Sequence, residues 1–191
     1  MTITTFIEIL SVLAGLTQGV LIMLNKKSNW YFYLAQMILL VVFSTINNLW
    51  GDVAMNTLFI AYGVYGLVSW GKEGDENGVE VLTPVQKLRT IAATLFLWVI
   101  SYVFLIHTND PLPLLDSVTT AGGLVATYLM VKHKLETWIV WFVVDVLYVA
   151  QYWLLPDQAL YLMGLNVVWT VMAVISYINW KNLYDKNKLT V

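Results

Sequence analysis

The chain has 191 residues, 59% of them hydrophobic and only 12% charged, with a mean hydropathy of +0.71. A soluble domain has about twice that share of charge and cannot hide so much apolar surface, whereas lipid solvates it. The net charge of −2 comes without a basic block, which speaks against a nucleic-acid partner, and the absence of cysteine excludes disulfides, thiolate metal sites and thiol nucleophiles.

A helix that crosses the hydrocarbon needs about 20 mostly apolar residues. Seven stretches qualify in chain order: Ile3–Leu24, Asn29–Asn48, Asp52–Trp70, Lys87–Ile106, Leu114–Val131, Thr137–Leu155 and Ala159–Trp180. The first has no basic residue before it and Lys26 and Lys27 after it, the reverse of a cleavable secretory signal, so an uncleaved first helix is expected. Between the third and fourth, Gly71–Gln86 carries Glu73, Asp75, Glu76 and Glu80 and reads as the one solvated loop. The other connectors are short and hold both histidines, His107 and His133. Drawn this way, all ten basic residues fall on one side: Lys26, Lys27, Lys72, Lys87, Arg89, Lys132, Lys134, Lys181, Lys186 and Lys188. The opposite connectors hold Asp52, His107, Asp110 and Asp157. Lys and Arg stay cytoplasmic during insertion. The pattern therefore predicts a multi-pass protein of the cytoplasmic membrane with its N-terminus outside and its C-terminus in the cytoplasm. Six spans would scatter the lysines to both sides.

The first three spans recur in the last three. Glu8, Gly15 and Trp30 reappear as Asp116, Gly123 and Trp138, all at one constant offset along the chain. Basic turns precede both tryptophans, Asn25 to Asn29 before Trp30 and His133 to Thr137 before Trp138. After a small further shift, Asn56 matches Asn166 and Trp70 matches Trp180. Three spans are an odd number, so an immediate copy would insert upside down. The fourth span restores the direction. The predicted fold is an all-α integral membrane protein of seven transmembrane helices in a 3+1+3 plan of parallel repeats. Residues 1–70 form the first repeat, 71–113 the cytoplasmic loop and linker helix, and 114–191 the second repeat with a cytoplasmic tail. Duplicated membrane bundles with a linker helix are mainly transporters, which place substrate near the midplane at the repeat interface.

Polar groups at mid-membrane are costly and mark function. Asp145 is the one ionisable side chain near the middle of a span, and Trp141, Tyr148 and Tyr152 share its helical face. It lines a cavity and bonds a substrate hydroxyl or amide, or it is tied to a neighbouring helix. Asn56 and Asn166 hold matching positions, where an amide suits a neutral heteroaromatic or carboxamide ligand or else joins helices. Gln36 has the same two readings; Gln18 and Gln151 are weaker candidates. Trp98, Trp141 and Trp169 lie deep enough to stack a flat ring or cover a cationic one. Trp30, Trp50, Trp70, Trp138, Trp153 and Trp180 sit near span ends, where interfacial anchoring accounts for them. Small residues at Ala14, Gly15 and Gly19, at Gly63 and Gly66, and at Gly122 and Gly123 suit close helix approach.

Taken together, Asn29 to Tyr33, Tyr65 to Trp70, Leu115 to Ser117, and Lys132 to Trp141 with Asp145 resemble the PnuC-type vitamin transporters. The Glu136-x-Trp138-x-x-Trp141 element after a basic turn is the most specific piece. The resemblance covers nearly the whole chain, including the lone fourth helix. It implies a duplicated SWEET-like fold and facilitated uptake of nicotinamide riboside, with relatives for thiamine, riboflavin or deoxynucleosides. It implies a homotrimer without an ATPase or cofactor, and a cytoplasmic kinase that traps the substrate without required contact. It also implies a pocket of Gln36, Asn56, Trp141, Asp145 and Tyr148. Asn166 stands where the family usually shows an aromatic residue, and Trp169 where Tyr is common.

The expected function is uniport of a small vitamin or nucleoside, with Asn166 and Trp169 added to the pocket. Proton-coupled symport through Asp145 is the rival. An enzyme is disfavoured: no Lys stands at depth for a Schiff base, and no His or Lys stands there to activate a serine. A purely structural membrane protein would not need Asp145, Asn56 and Asn166 at depth. No metal site is expected.

Overall fold

The computed structural model describes residues 3–46, 50–70, 78–108, 110–154 and 160–189, and within them each stretch expected to span forms a helix. The helices are α1 (Ile3–Met23), α2 (Asn29–Ile46), α3 (Trp50–Ser69), α4 (Pro84–Leu105), α5 (Pro113–Val131), α6 (Thr137–Leu154) and α7 (Leu160–Leu189). Within the described residues five are long and apolar enough to cross a membrane, namely α2, α4, α5, α6 and α7. Among the described residues α1 and α3 offer shorter apolar stretches, Ile9–Met23 and Met55–Ser69. Lys72, Glu73, Asp75, Glu76 and Asp157 lie outside the described residues, as does the Glu8 side chain of the repeat.

Two ends differ from expectation. Helix α4 begins earlier than Lys87 because Thr83 caps it: Gln86 N–H donates to the Thr83 hydroxyl at 3.3 Å, Thr83 N–H donates to the Gln86 amide oxygen at 2.9 Å, and Pro84 opens the first turn. The tail expected after Trp180 is helical to Leu189, with Lys181 paired to Asp185 one turn on at 2.7 Å.

The chain forms two compact units, Met1–Asn77 and Gly78–Val191. In the first, α2 packs against both α1 and α3. In the second, α4 packs on α5, α5 on α6 and α6 on α7.

The same backbone turn closes α1 and α5. Asn25 and His133, equivalent positions of the two expected repeats, are the two non-glycine residues with positive φ among those described, at 54° and 51°. Asn25 N–H donates to Ile22 O and Lys26 N–H to Leu21 O, both at 2.9 Å. His133 N–H donates to Met130 O at 3.0 Å and Lys134 N–H to Leu129 O at 2.9 Å. This double closure satisfies carbonyls that a helix end otherwise leaves open, and Asn and His tolerate the left-handed conformation better than most residues.

Just past each turn a tryptophan wedges the unit together. Trp30 meets Trp70 edge-on at 5.5 Å and 85°, and Trp138 meets Trp180 edge-on at 5.2 Å and 89°. Trp30 and Trp180 are fully buried and Trp70 and Trp138 nearly so, which corrects the expectation that all four are interfacial anchors. Edge-to-face pairing of buried rings stabilises by about 1 kcal/mol beyond area burial, so they act as core wedges. Trp153 is exposed, as an anchor should be.

Small residues admit these wedges. A Cβ on Gly66 would lie 2.5 Å from Trp30 Cδ2, one on Gly63 would lie 2.6 Å from Leu34 Cδ2, and one on Gly122 would collide with Val144 Cγ2. At Gly123 it would meet only Trp141 Cη2, at 3.8 Å. Thr17, Thr45, Thr57, Thr94, Thr127 and Thr170 each donate to the carbonyl one turn back, which satisfies the hydroxyl within its own helix. Helix α4 buries no side chain, so its apolar surface is left for lipid.

The loop before α4 is not solvated throughout. Its last residues lie on the α5–α6 turn: Glu80 N–H donates to His133 O at 3.0 Å, and Leu135 N–H to Glu80 O at 2.8 Å. The Glu136 carboxylate accepts Leu82 N–H with both oxygens at 3.0 Å and faces Lys87 at 3.6 Å, while Lys134 pairs with Glu80. Val79 and Leu82 are buried, Leu82 against Val125 and Leu129.

Gly66→Ala and Gly122→Ala are expected to lower the thermal midpoint in detergent, overpacking by about 1–3 kcal/mol. Gly123→Ala should leave it unchanged or slightly raised, because the added methyl has room and alanine favours helix. A midpoint loss at Gly123 as large as at Gly122 would contradict this packing.

His133 is buried and stacks on Trp180 at 6.0 Å, and burial lowers its pKa to about 4, against a smaller opposing pull from Glu80. The unfolded chain then binds more protons than the folded one between about pH 4 and 6.5. Stability is full above about pH 6.5 and falls as pH drops towards 4, by an amount on the order of 3 kcal/mol. His133→Asn, the residue of the matching turn, should flatten that slope in thermal scans from about pH 4 to 7. A slope as steep as that of the parent chain would rule out His133 as its source.

Candidate functional site

Helix α6 carries three of the expected residues on one stripe, and that stripe backs onto α5. Trp141 reaches towards Gly123, and Val144 fills the space over Gly122. Tyr148 stacks on Tyr152 at 5.9 Å and 13°. Between Trp141 and Tyr148, Asp145 is only 5% exposed, and the ion pairs among the described residues do not include it. The Trp141 indole N–H is buried without a hydrogen-bond partner among the described residues. A buried carboxylate flanked by an indole donor and a phenol can accept a hydroxyl or amide proton while the rings bracket a flat or cationic group.

Helix α7 packs on α6 and carries Asn166, which is buried, and Trp169, which is half-buried. The Asn166 carbonyl accepts the Thr170 hydroxyl at 2.7 Å. The expected residues of the second unit, Trp141, Asp145, Tyr148, Asn166 and Trp169, therefore lie on two adjacent helices. Gln36 and Asn56 belong to the first unit, on α2 and α3, and both are half-buried. The Gln36 amide lies over Gly15, where a Cβ would come within 2.5 Å of its nitrogen. Gln36 thus sits at the α1–α2 crossing, as Val144, its equivalent in the second repeat, sits at the α5–α6 crossing.

The α5 wall behind the stripe adds Thr119 and Thr127, which the sequence did not single out, to Gly123 and Gln151, which it did. It consists of Thr119, Gly123 and Thr127, with Gln151 across the seam: the Thr119 hydroxyl lies 3.4 Å from Gln151 Oε1, and Thr127 donates to Gly123 O at 2.8 Å. Its signal was small and polar residues at every fourth position, which marks one helix face. Among the described residues no group of three or more His, Cys, Asp or Glu is arranged to hold a metal ion.

Residues 5–182 match the family described as Nicotinamide mononucleotide transporter. The chain is 28% identical over 176 residues to the nicotinamide riboside transporter PnuC of Neisseria mucosa, an overlap of 85% of this chain and 67% of that protein. It is 23% identical over 208 residues to the nicotinamide riboside transporter PnuC of Escherichia coli, covering 93% of this chain and 86% of that one. The crystal structure of the vitamin B3 transporter PnuC superposes with a TM-score of 0.76 at 26% identity, over 95% of this chain and 83% of that chain. The chain thus belongs to the nicotinamide mononucleotide transporter family and is a multi-pass membrane transporter, not an enzyme.

Proposed function

We propose that the chain carries nicotinamide riboside down its gradient into the cytoplasm. The observation that carries this reading is the buried Asp145 between Trp141 and Tyr148, in a chain whose relatives are named for that substrate. Nicotinamide riboside joins a cationic pyridinium ring to a carboxamide and a ribose, and the expected pocket residues offer a counterpart for each. Trp141 and Trp169 attract the ring face-on through the indole quadrupole. Gln36, Asn56 and Asn166 suit the carboxamide, and Asp145 with Tyr148 suits the ribose hydroxyls.

All seven helices span in this reading, in the 3+1+3 parallel-repeat, SWEET-like plan, with the N-terminus outside and the basic turns in the cytoplasm. The identical turns after α1 and α5 and the matched tryptophan pairs support the duplication. Uniport needs only an affinity difference between outward and inward states. A cytoplasmic kinase traps the product, and the working unit is a homotrimer. Thiamine or a deoxynucleoside suits the same mechanism. Proton-coupled symport is the second reading, favoured by the burial of Asp145.

Proteoliposomes holding only this chain are expected to equilibrate labelled nicotinamide riboside without an imposed gradient. Asp145→Ala should weaken apparent affinity about tenfold to hundredfold, the worth of one hydrogen bond to a charged group. Uptake that starts only under a proton gradient, and loses that dependence in Asp145→Asn, would establish symport instead. Thiamine or a deoxynucleoside moving in place of nicotinamide riboside would change the substrate.

A further inference from the structure

We propose that Val79 to Leu82 form a strap that stays closed on the α5–α6 turn throughout transport, with Glu136 as its catch. The closed strap makes helix α4 part of the moving body built from α5 and α6. The inference needs a transporter but no particular solute, so it goes beyond the substrate reading above.

Three kinds of contact hold the strap. Its main chain forms a parallel bridge at Glu80 and Lys134: Glu80 N–H donates to His133 O at 3.0 Å, and Glu80 O accepts Leu135 N–H at 2.8 Å. Both main-chain groups of Glu80 are thereby engaged by the turn. Charge adds to the bridge. Lys134 pairs with Glu80, and the Glu136 carboxylate accepts Leu82 N–H with both oxygens at 3.0 Å and faces the Lys87 ammonium at 3.6 Å. The last contact is apolar. Leu82 is buried with Val125 and Leu129 of α5, and Leu97 of α4 and Val140 of α6 pack against the same cluster. One side chain thus keys three helices together.

The strap has no slack. Leu82 adjoins Thr83, whose capping box starts α4, and Lys87 in the first turn of that helix faces the same carboxylate. Glu136 directly precedes α6, and the next residue, Thr137, donates its hydroxyl to Ala126 O of α5 at 2.7 Å. A shift of the α4 start against α5 or α6 would break a buried apolar contact and a charge-assisted hydrogen bond together. These contacts are not needed to build the turn itself. The α1–α2 turn has the same backbone closure with Ser28 two residues before its tryptophan, and among the described residues no main-chain bridge joins another segment to it. What the strap adds at the α5–α6 turn is its hold on α4.

Exchange between outward and inward states moves packed helices as bodies. A helix freed at one end no longer follows its body. The strap contacts involve no expected pocket residue, so release leaves the pocket able to bind while exchange slows.

The chain contains no cysteine, so a thiol pair placed across the bridge is its only one. Glu80→Cys with Lys134→Cys, joined by a short bis-methanethiosulfonate reagent, closes the strap covalently until a reductant releases it. Uptake of labelled nicotinamide riboside into proteoliposomes should be no slower when the pair is joined than when it is reduced. Glu136→Gln keeps the shape of the catch and removes its charge. Its maximal rate is expected to fall about threefold to tenfold, the equivalent of one charge-assisted hydrogen bond. Kd from calorimetry should stay parental, and joining the thiol pair in that variant should restore the rate. Uptake that joining blocks and the reductant recovers would overturn the proposal, since the strap would then have to open. So would a pair that the reagent cannot join, a parental rate in Glu136→Gln, or a lowered rate that joining leaves unrestored. Should Glu136→Gln not fold, the joined pair in the parental background decides: retained uptake supports the closed strap and blocked uptake overturns it. If the parental chain carries thiamine or a deoxynucleoside in place of nicotinamide riboside, the substrate reading falls and the same comparisons use that solute.

Discussion

A helix that ends in or near the hydrocarbon must satisfy its last carbonyls without help from bulk water, and the chain meets that demand twice with one turn. At Asn25 and at His133 the backbone swings into the left-handed region and returns two amide protons to the helix just finished. The next helix then starts at a fixed angle, with Trp30 or Trp138 at its first turn. Each tryptophan meets its partner from the third helix of its triplet edge-on. The middle helix is thereby pinned at its start and lies against both of its neighbours. Glycine follows from this: only a position without a Cβ lets the Trp30 ring lie flat against α3.

Pinning the middle helix has a chemical consequence. Helix α6 is the middle helix of the second triplet, and it carries Trp141, Asp145 and Tyr148. A carboxylate with no ion-pair partner among the described residues needs rigid surroundings, because any slack would let the helix turn it towards a neighbour's polar group. Gly122 brings α5 close enough to Val144 to fix the α6 register. The polar stripe is held in place because the apolar packing beneath it leaves no freedom.

Much of this was legible in the sequence, for identifiable reasons. Hydrophobic length placed the helices, since lipid imposes a minimum that few other constraints mimic. The near-constant offset between the two expected repeats found the matched turns and tryptophans, because turn and tryptophan keep nearly the same spacing in both. Reading Trp30, Trp70, Trp138 and Trp180 as anchors failed because nearness to a span end describes depth and says nothing of which side faces a neighbour. The capping box at Thr83 and Gln86 was present but outweighed by the charge of the loop before it. The ordering of Val79 to Leu82 came from Glu80 and Glu136, residues far apart in the chain that no local pattern connects. Thr119 was missed because threonine is ambivalent in a membrane helix: it usually bonds its own backbone, as Thr127 and Thr170 do here.

The two triplets share a frame and differ in what covers it. Gln36 and Val144 occupy corresponding crossings, α1–α2 and α5–α6, one polar and one apolar, each over a glycine. The second turn carries the Glu80 bridge and the Glu136 carboxylate, whereas the buried side-chain oxygens of Asn25 and Asn29 in the first have no hydrogen-bond partner among the described residues. Backbone demands are equal in both copies, so the turn and the tryptophans stay the same. Chemical demands differ in the proposed function, because the proposed nucleoside substrate has no twofold symmetry to match. In the proposed parallel-repeat plan, a duplicated frame serves an asymmetric ligand only when its equivalent positions diverge in polarity, and Asp145 has no acidic counterpart in the first triplet, where Met37 holds the equivalent position.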